Sequence, residues 1–227
     1  MYFIYLYISI VFAACAVYAI NFKILPAALK IIFVYLATVF VTEVIGVICL
    51  VMYRYNLFVY LMLCPVQFAL ILYYFFRKHK RPILNIFIGL VLCFLFVVLM
   101  DTYFPIGKYF TLIKNDNIKR VKGLYTYFFI FEGFYIILVS LVAYYRFFSD
   151  DSKLRLFRNL DFLIVTIFLF FWSITYLYNG VYDIIYRNNS VLFFQIVYPV
   201  YCIVNCFTYL ILGVLPILLK KNVIDSD

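Results

Sequence analysis

Ile83-Leu-Asn-Ile-Phe-Ile-Gly-Leu-Val-Leu-Cys-Phe-Leu-Phe-Val-Val-Leu-Met100 carries no charged side chain from end to end. Wound as a helix at ~1.5 Å per residue, it nearly crosses the ~30 Å hydrocarbon core of a bilayer. It is bounded by Arg77-Lys-His-Lys-Arg81 on one side and Asp101 on the other, as a membrane span would be. Six more stretches of the same character follow from this one, at about 2 to 20, 31 to 52, 57 to 76, 124 to 145, 160 to 178 and 191 to 219. Their apolar runs are continuous and do not alternate, so helices, which satisfy the backbone in lipid, are favoured heavily over a barrel.

Composition agrees: 69% of residues are apolar, 13% are charged and the mean hydropathy is +1.09. Such a chain has lipid as its solvent. The expectation is an all-α polytopic membrane protein, one transmembrane domain over residues 1–227 with seven helices. The longest connecting segment, 101 to 123, leaves no room within these residues for an appended catalytic or ligand-binding domain.

The net charge of +9 is not a nucleic-acid signature, because the basic residues cluster at span ends and do not line one face. Segments 23–30, 77–81, 146–158 and 220–221 hold 12 of the 19 Lys and Arg, which leaves 19 − 12 = 7 elsewhere. All four segments fall on one side of a seven-span chain. The excess of positive charge predicts that side to be cytoplasmic, with the N-terminus outside and the C-terminus inside. Lys108, Lys114, Lys119, Arg120 and Lys122 in the 101–123 loop oppose that orientation. The loop also alternates apolar and basic residues, which suits a segment lying at the membrane surface. The first span lacks a basic start and is expected to remain as a membrane helix, without processing at Cys15. All six cysteines fall within spans at no metal-ligand spacing. They read as small apolar residues, and neither a metal nor a cofactor is expected.

Tyr53-Arg54-Tyr-Asn56, followed by Pro65-Val66, reads against Tyr186-Arg187-Asn-Asn189, followed by Pro199-Val200. In seven-span numbering these are equivalent hairpins, which suggests two parallel three-helix repeats joined by the fourth span. A proline within a helix frees a carbonyl and bends the axis. Pro65 and Pro199 are therefore hinge candidates, and Arg54 and Arg187 are candidates for a rim site or for membrane anchoring.

This three-one-three layout resembles that of PQ-loop and SWEET-type carriers. The Pro-Val-Gln at 65 to 67 departs from that family's Pro-Gln pair and lies in a different span, so no site residues carry over. Rhodopsins share the helix count, but span seven holds no lysine for a retinal Schiff base. From Arg158-Asn-Leu-Asp-Phe162 through the Phe-Trp-Ser-Ile-Thr-Tyr of span six to Tyr201-Cys-Ile-Val-Asn205 and Leu210-Ile-Leu-Gly, the chain resembles uncharacterised seven-span proteins of Bacteroidota. That resemblance implies a bacterial inner membrane and no particular activity.

Ionisable groups at mid-bilayer cost about 2.5 to 3.5 kcal/mol on insertion scales, so each one needs a reason. Glu43 and Glu132 lie deep in spans two and five, and Gln67 and Asn205 lie at similar depth in spans three and seven. Facing inward, they would form one polar cluster, either a ligand-binding or proton-coupling site or a set of interhelical hydrogen bonds. The only histidine, His79, sits in the basic loop, and serine-hydrolase, phosphate-loop and zinc-protease motifs are missing. A non-enzymatic protein is therefore expected: a sensor or accessory subunit that binds a ligand or a membrane or cytoplasmic protein partner and acts through its basic face. The alternatives are a small proton-coupled transporter and a membrane immunity protein.

Overall fold

The computed structural model describes residues 2–104, 116–149, 159–188 and 196–224. Seven long helices account for nearly all of them: α1 Tyr2–Asn21, α2 Ala27–Tyr53, α3 Leu57–Phe76, α4 Pro82–Tyr103, α5 Asp116–Ser149, α6 Leu160–Asn188 and α7 Tyr198–Ile224. Each is long and apolar enough to cross a membrane, and the chain is an all-α integral membrane protein. The helices overrun the apolar stretches, α5 by beginning at Asp116 and α6 by continuing to Asn188. Hydropathy marks the thickness of the hydrocarbon, whereas helical hydrogen bonding continues into the polar zone until the chain turns.

The connections that can be described are short. A single 3-10 turn, Phe22–Ile24, and Pro26 lead α1 into α2. Arg54 ends α2 in the left-handed region at φ 56°, turning the chain into α3. At the start of α6, the Asn159 side chain accepts the backbone N–H of Asp161 at 3.0 Å and of Phe162 at 3.4 Å, capping the helix.

Six helices pack as a ring in the order α1, α2, α3, α5, α6, α7, which closes back on α1. Helix α4 stands outside, against α3 and α5, and buries only Gly89 and Cys93. The pairs α1–α2, α2–α3 and α3–α5 each have a counterpart three positions further around the ring, in α5–α6, α6–α7 and α7–α1. The two Tyr-Arg-x-Asn stretches are nevertheless placed differently. Arg54 and Asn56 follow the end of α2, whereas Tyr186 to Asn188 lie inside the end of α6 and Asn189 lies outside the described residues.

Helices α1 and α7 meet closely. A Cβ added at Gly213 would lie 2.9 Å from the Ala14 Cβ and 3.1 Å from its Cα, so only glycine allows this approach. One turn away, the Tyr18 hydroxyl donates to the Leu212 carbonyl at 3.0 Å. That carbonyl would normally accept the N–H of residue 216, but Pro216, inside α7, has none. The tyrosine replaces the missing helical bond.

At the basic end, Asp161 of α6 pairs with Arg77 and with Lys78, the latter at 2.7 Å, and accepts the Tyr74 hydroxyl at 3.1 Å. The Arg77 guanidinium also lies over the Tyr74 ring, 4.1 Å from its centroid. Above this latch, buried Phe168 contacts the rings of Tyr35, Tyr74 and Phe75 at centroid distances of 5.9, 6.0 and 6.2 Å. This end of the bundle is therefore closed by aromatic packing over an ion cluster.

Candidate functional site

Within the ring lies a cavity of about 320 Å³, walled by all six ring helices and not by α4. Glu43, Gln67, Glu132 and Asn205, singled out above for their depth, all line it. The register explains why. Gln67 is ten residues from the start of α3, Glu43 ten from the end of α2 and Asn205 seven from the start of α7. At ~1.5 Å per residue these positions sit at similar depth, roughly 10 to 15 Å below the helix ends. Leu50, Asn56, Tyr198 and Cys202 carry the lining up toward the end of the bundle that holds the α2–α3 junction, away from the Asp161 latch.

Each polar wall group is held differently. Glu43 accepts the Tyr60 hydroxyl at 2.9 Å and, at a longer 3.4 Å, that of Tyr7. Gly46, one turn along α2, permits the first of these. A Cβ there would come within 3.0 Å of the Tyr60 hydroxyl, so the ring can lie flat across the helix and reach the carboxylate. Gln67 donates to the Thr42 hydroxyl at 2.8 Å, and the Thr42 hydroxyl in turn donates to the Thr38 carbonyl at 2.7 Å. Asn205 donates to the Tyr201 carbonyl one turn back at 2.8 Å. These three sites are largely satisfied within the protein.

A second group is not. Glu132 Oε2, Trp172 Nε1 and Thr175 Oγ1 are buried, belong to residues that line the same cavity and have no hydrogen-bond partner among the described residues. Their residues are only 2%, 4% and 1% exposed. They sit where α5 faces α6: Gly133 lets the helices close, and a Cβ there would lie 3.2 Å from the Tyr176 Cβ and 3.6 Å from Trp172 Cε3. Phe129 packs beside the indole with ring centroids 6.3 Å apart. Aromatic side chains make up much of the remaining wall, and among the described residues no Lys, Arg or His belongs to the lining.

The other sequence candidates lie elsewhere. Arg54 is exposed and not part of the cavity wall. Arg187 falls in the last turn of α6, and its side chain lies outside the described part of the structure. Pro65 interrupts the hydrogen bonding of α3 between two lining residues, Cys64 and Gln67, while the helix continues through it. Pro199 is the second residue of α7, and residues 196–197 just before that helix are π-helical. Trp172, Thr175 and the lining tyrosines carried no sequence signal, because aromatic residues and threonine are ordinary in membrane helices. Among the described residues no group of three or more His, Cys, Asp or Glu could hold a metal ion. The chain matches no protein-family model, no curated protein and no solved structure.

Proposed function

We propose that this protein is a non-enzymatic membrane sensor or accessory subunit whose ring of helices binds a small ligand in the central cavity and passes the change to a partner at the basic end. The observation that carries this reading is the set of three buried polar groups, without a partner among the described residues, on side chains that line one cavity. Each costs roughly 1 to 3 kcal/mol while unsatisfied, so their retention favours a bound molecule that completes them. The closed aromatic layer at Phe168 and the Asp161 latch join α3 to α6 below the cavity. A change in cavity shape would therefore be felt at Arg77–Arg81. The basic end is taken as cytoplasmic, with the N-terminus outside, in a bacterial inner membrane.

A proton-coupled transporter is the second reading. It is favoured by two carboxyl side chains at mid-depth in a cavity that rises toward one end and is sealed at the other, an arrangement suited to alternating access. Gentle purification from native membrane, with mass spectrometry of what co-elutes, tests the first reading. A protein partner at near-equal amount, lost when the 77–81 charges are reversed, is expected. Solute or proton flux in proteoliposomes that is abolished by Glu43→Gln, and indifferent to the 77–81 change, would replace the sensor with the transporter.

A further inference from the structure

The chemistry of the wall restricts what can occupy it. Glu132 has an oxygen with no donor among the described residues, and the described wall of the cavity holds two carboxyl side chains and no basic residue. An anionic ligand would meet these carboxylates with nothing to offset them. An N–H donor carrying positive charge would complete Glu132 and also face aromatic rings, whose π surfaces attract cations. Trp172 Nε1 can only donate, so the same ligand must offer it an acceptor atom. The volume of about 320 Å³ suits a small organic molecule, at the lower end of the range for ligand pockets. Glu43 is already engaged by two tyrosine hydroxyls, so Glu132 is the group free to take the charge.

We infer that the cavity binds a small protonated amine bearing an aromatic or apolar body and a neutral acceptor oxygen, its ammonium on Glu132 and its acceptor on Trp172 and Thr175. The inference rests on the ligand-binding reading above and names the class of ligand. Trp172 is the only tryptophan of the chain, and its fluorescence therefore reports the cavity directly.

The test uses the full chain in lipid nanodiscs, excited where tyrosine does not absorb, and titrated with three probes of one shape. These are phenylethanolamine, the neutral styrene glycol and the anionic mandelate. A saturable change in Trp172 emission with phenylethanolamine is expected, with both other probes at least tenfold weaker. Glu132→Gln should remove at least tenfold of the amine affinity, and Glu43→Gln less. If Glu132→Gln does not fold, the wild-type ranking of amine over glycol decides alone. Glycol or mandelate binding as tightly as the amine overturns the ligand class while leaving a ligand cavity in place. No response to any of the three also overturns the class, and the mass spectrometry of native material then decides the sensor reading separately.

Discussion

Thr175 carries its hydroxyl into the protein at 1% exposure and meets no partner among the described residues. Most threonines in these helices bond the carbonyl one turn back, as Thr42, Thr166 and Thr208 do. Removing the hydroxyl while keeping the shape takes away an uncompensated desolvation cost. Thr175→Val should therefore raise the thermal midpoint of the ligand-free protein, by an amount equivalent to about 1 to 2 kcal/mol. A lowered midpoint would mean that the hydroxyl is satisfied after all. Arg54 invites the opposite kind of change, since its backbone, not its side chain, is strained. At φ 56° a residue with a Cβ costs roughly 1 kcal/mol more than glycine, so Arg54→Gly should stabilise by about 0.5 to 1 kcal/mol in the same assay. Loss of stability would assign the arginine side chain a contact of its own. At this scale the four deep polar residues were legible, because lipid makes every carboxyl and amide conspicuous. Trp172 and Thr175 were not, because what distinguishes them is the lack of a partner, which only packing reveals.

Pro216 and Tyr18 show how two helices solve a problem that neither solves alone. The proline removes the N–H that the Leu212 carbonyl needs, and Tyr18 of α1 supplies a hydroxyl at 3.0 Å in a fully buried setting. Tyr18→Phe should cost about 1 to 3 kcal/mol, the penalty for a buried acceptor left unmade. In a Pro216→Ala background the helix restores its own bond, and the same Tyr18→Phe change should cost markedly less. Equal costs in the two backgrounds, measured by a double-mutant cycle on unfolding, would separate the tyrosine from the proline. The sequence showed that a proline inside a membrane helix needs such a partner, yet pointed to Pro65 and Pro199. Pro65 does lie inside α3, but which residue of which helix answers Pro216 depends on how α1 and α7 meet at Ala14 and Gly213. The apolar runs located every helix, but not the overhang of α5 and α6 beyond the hydrocarbon, where hydropathy falls and helical bonding persists.

On the scale of the whole molecule, the ring has two unlike ends, and orientation decides which of them faces the cytoplasm. One end carries the Arg77–Arg81 run and the Asp161 latch, and the other carries the α2–α3 junction toward which the cavity rises. Translocation disfavours short loops rich in Lys and Arg, so the basic end should be retained inside the cell. The opposing basic residues Lys119, Arg120 and Lys122 lie within the N-terminal part of α5. These positions are therefore the start of a helix that continues into the bilayer and not a separate loop. A cysteine placed at exposed Tyr53 should react in intact cells with a membrane-impermeant thiol reagent, and one placed at exposed Lys80 should react only after the membrane is opened. The native cysteines lie within the helices, and the chain with all six replaced sets the background. Labelling of the Lys80 position in intact cells would invert the molecule, turn the mouth of the cavity toward the cytoplasm, and make any amine it binds an intracellular one.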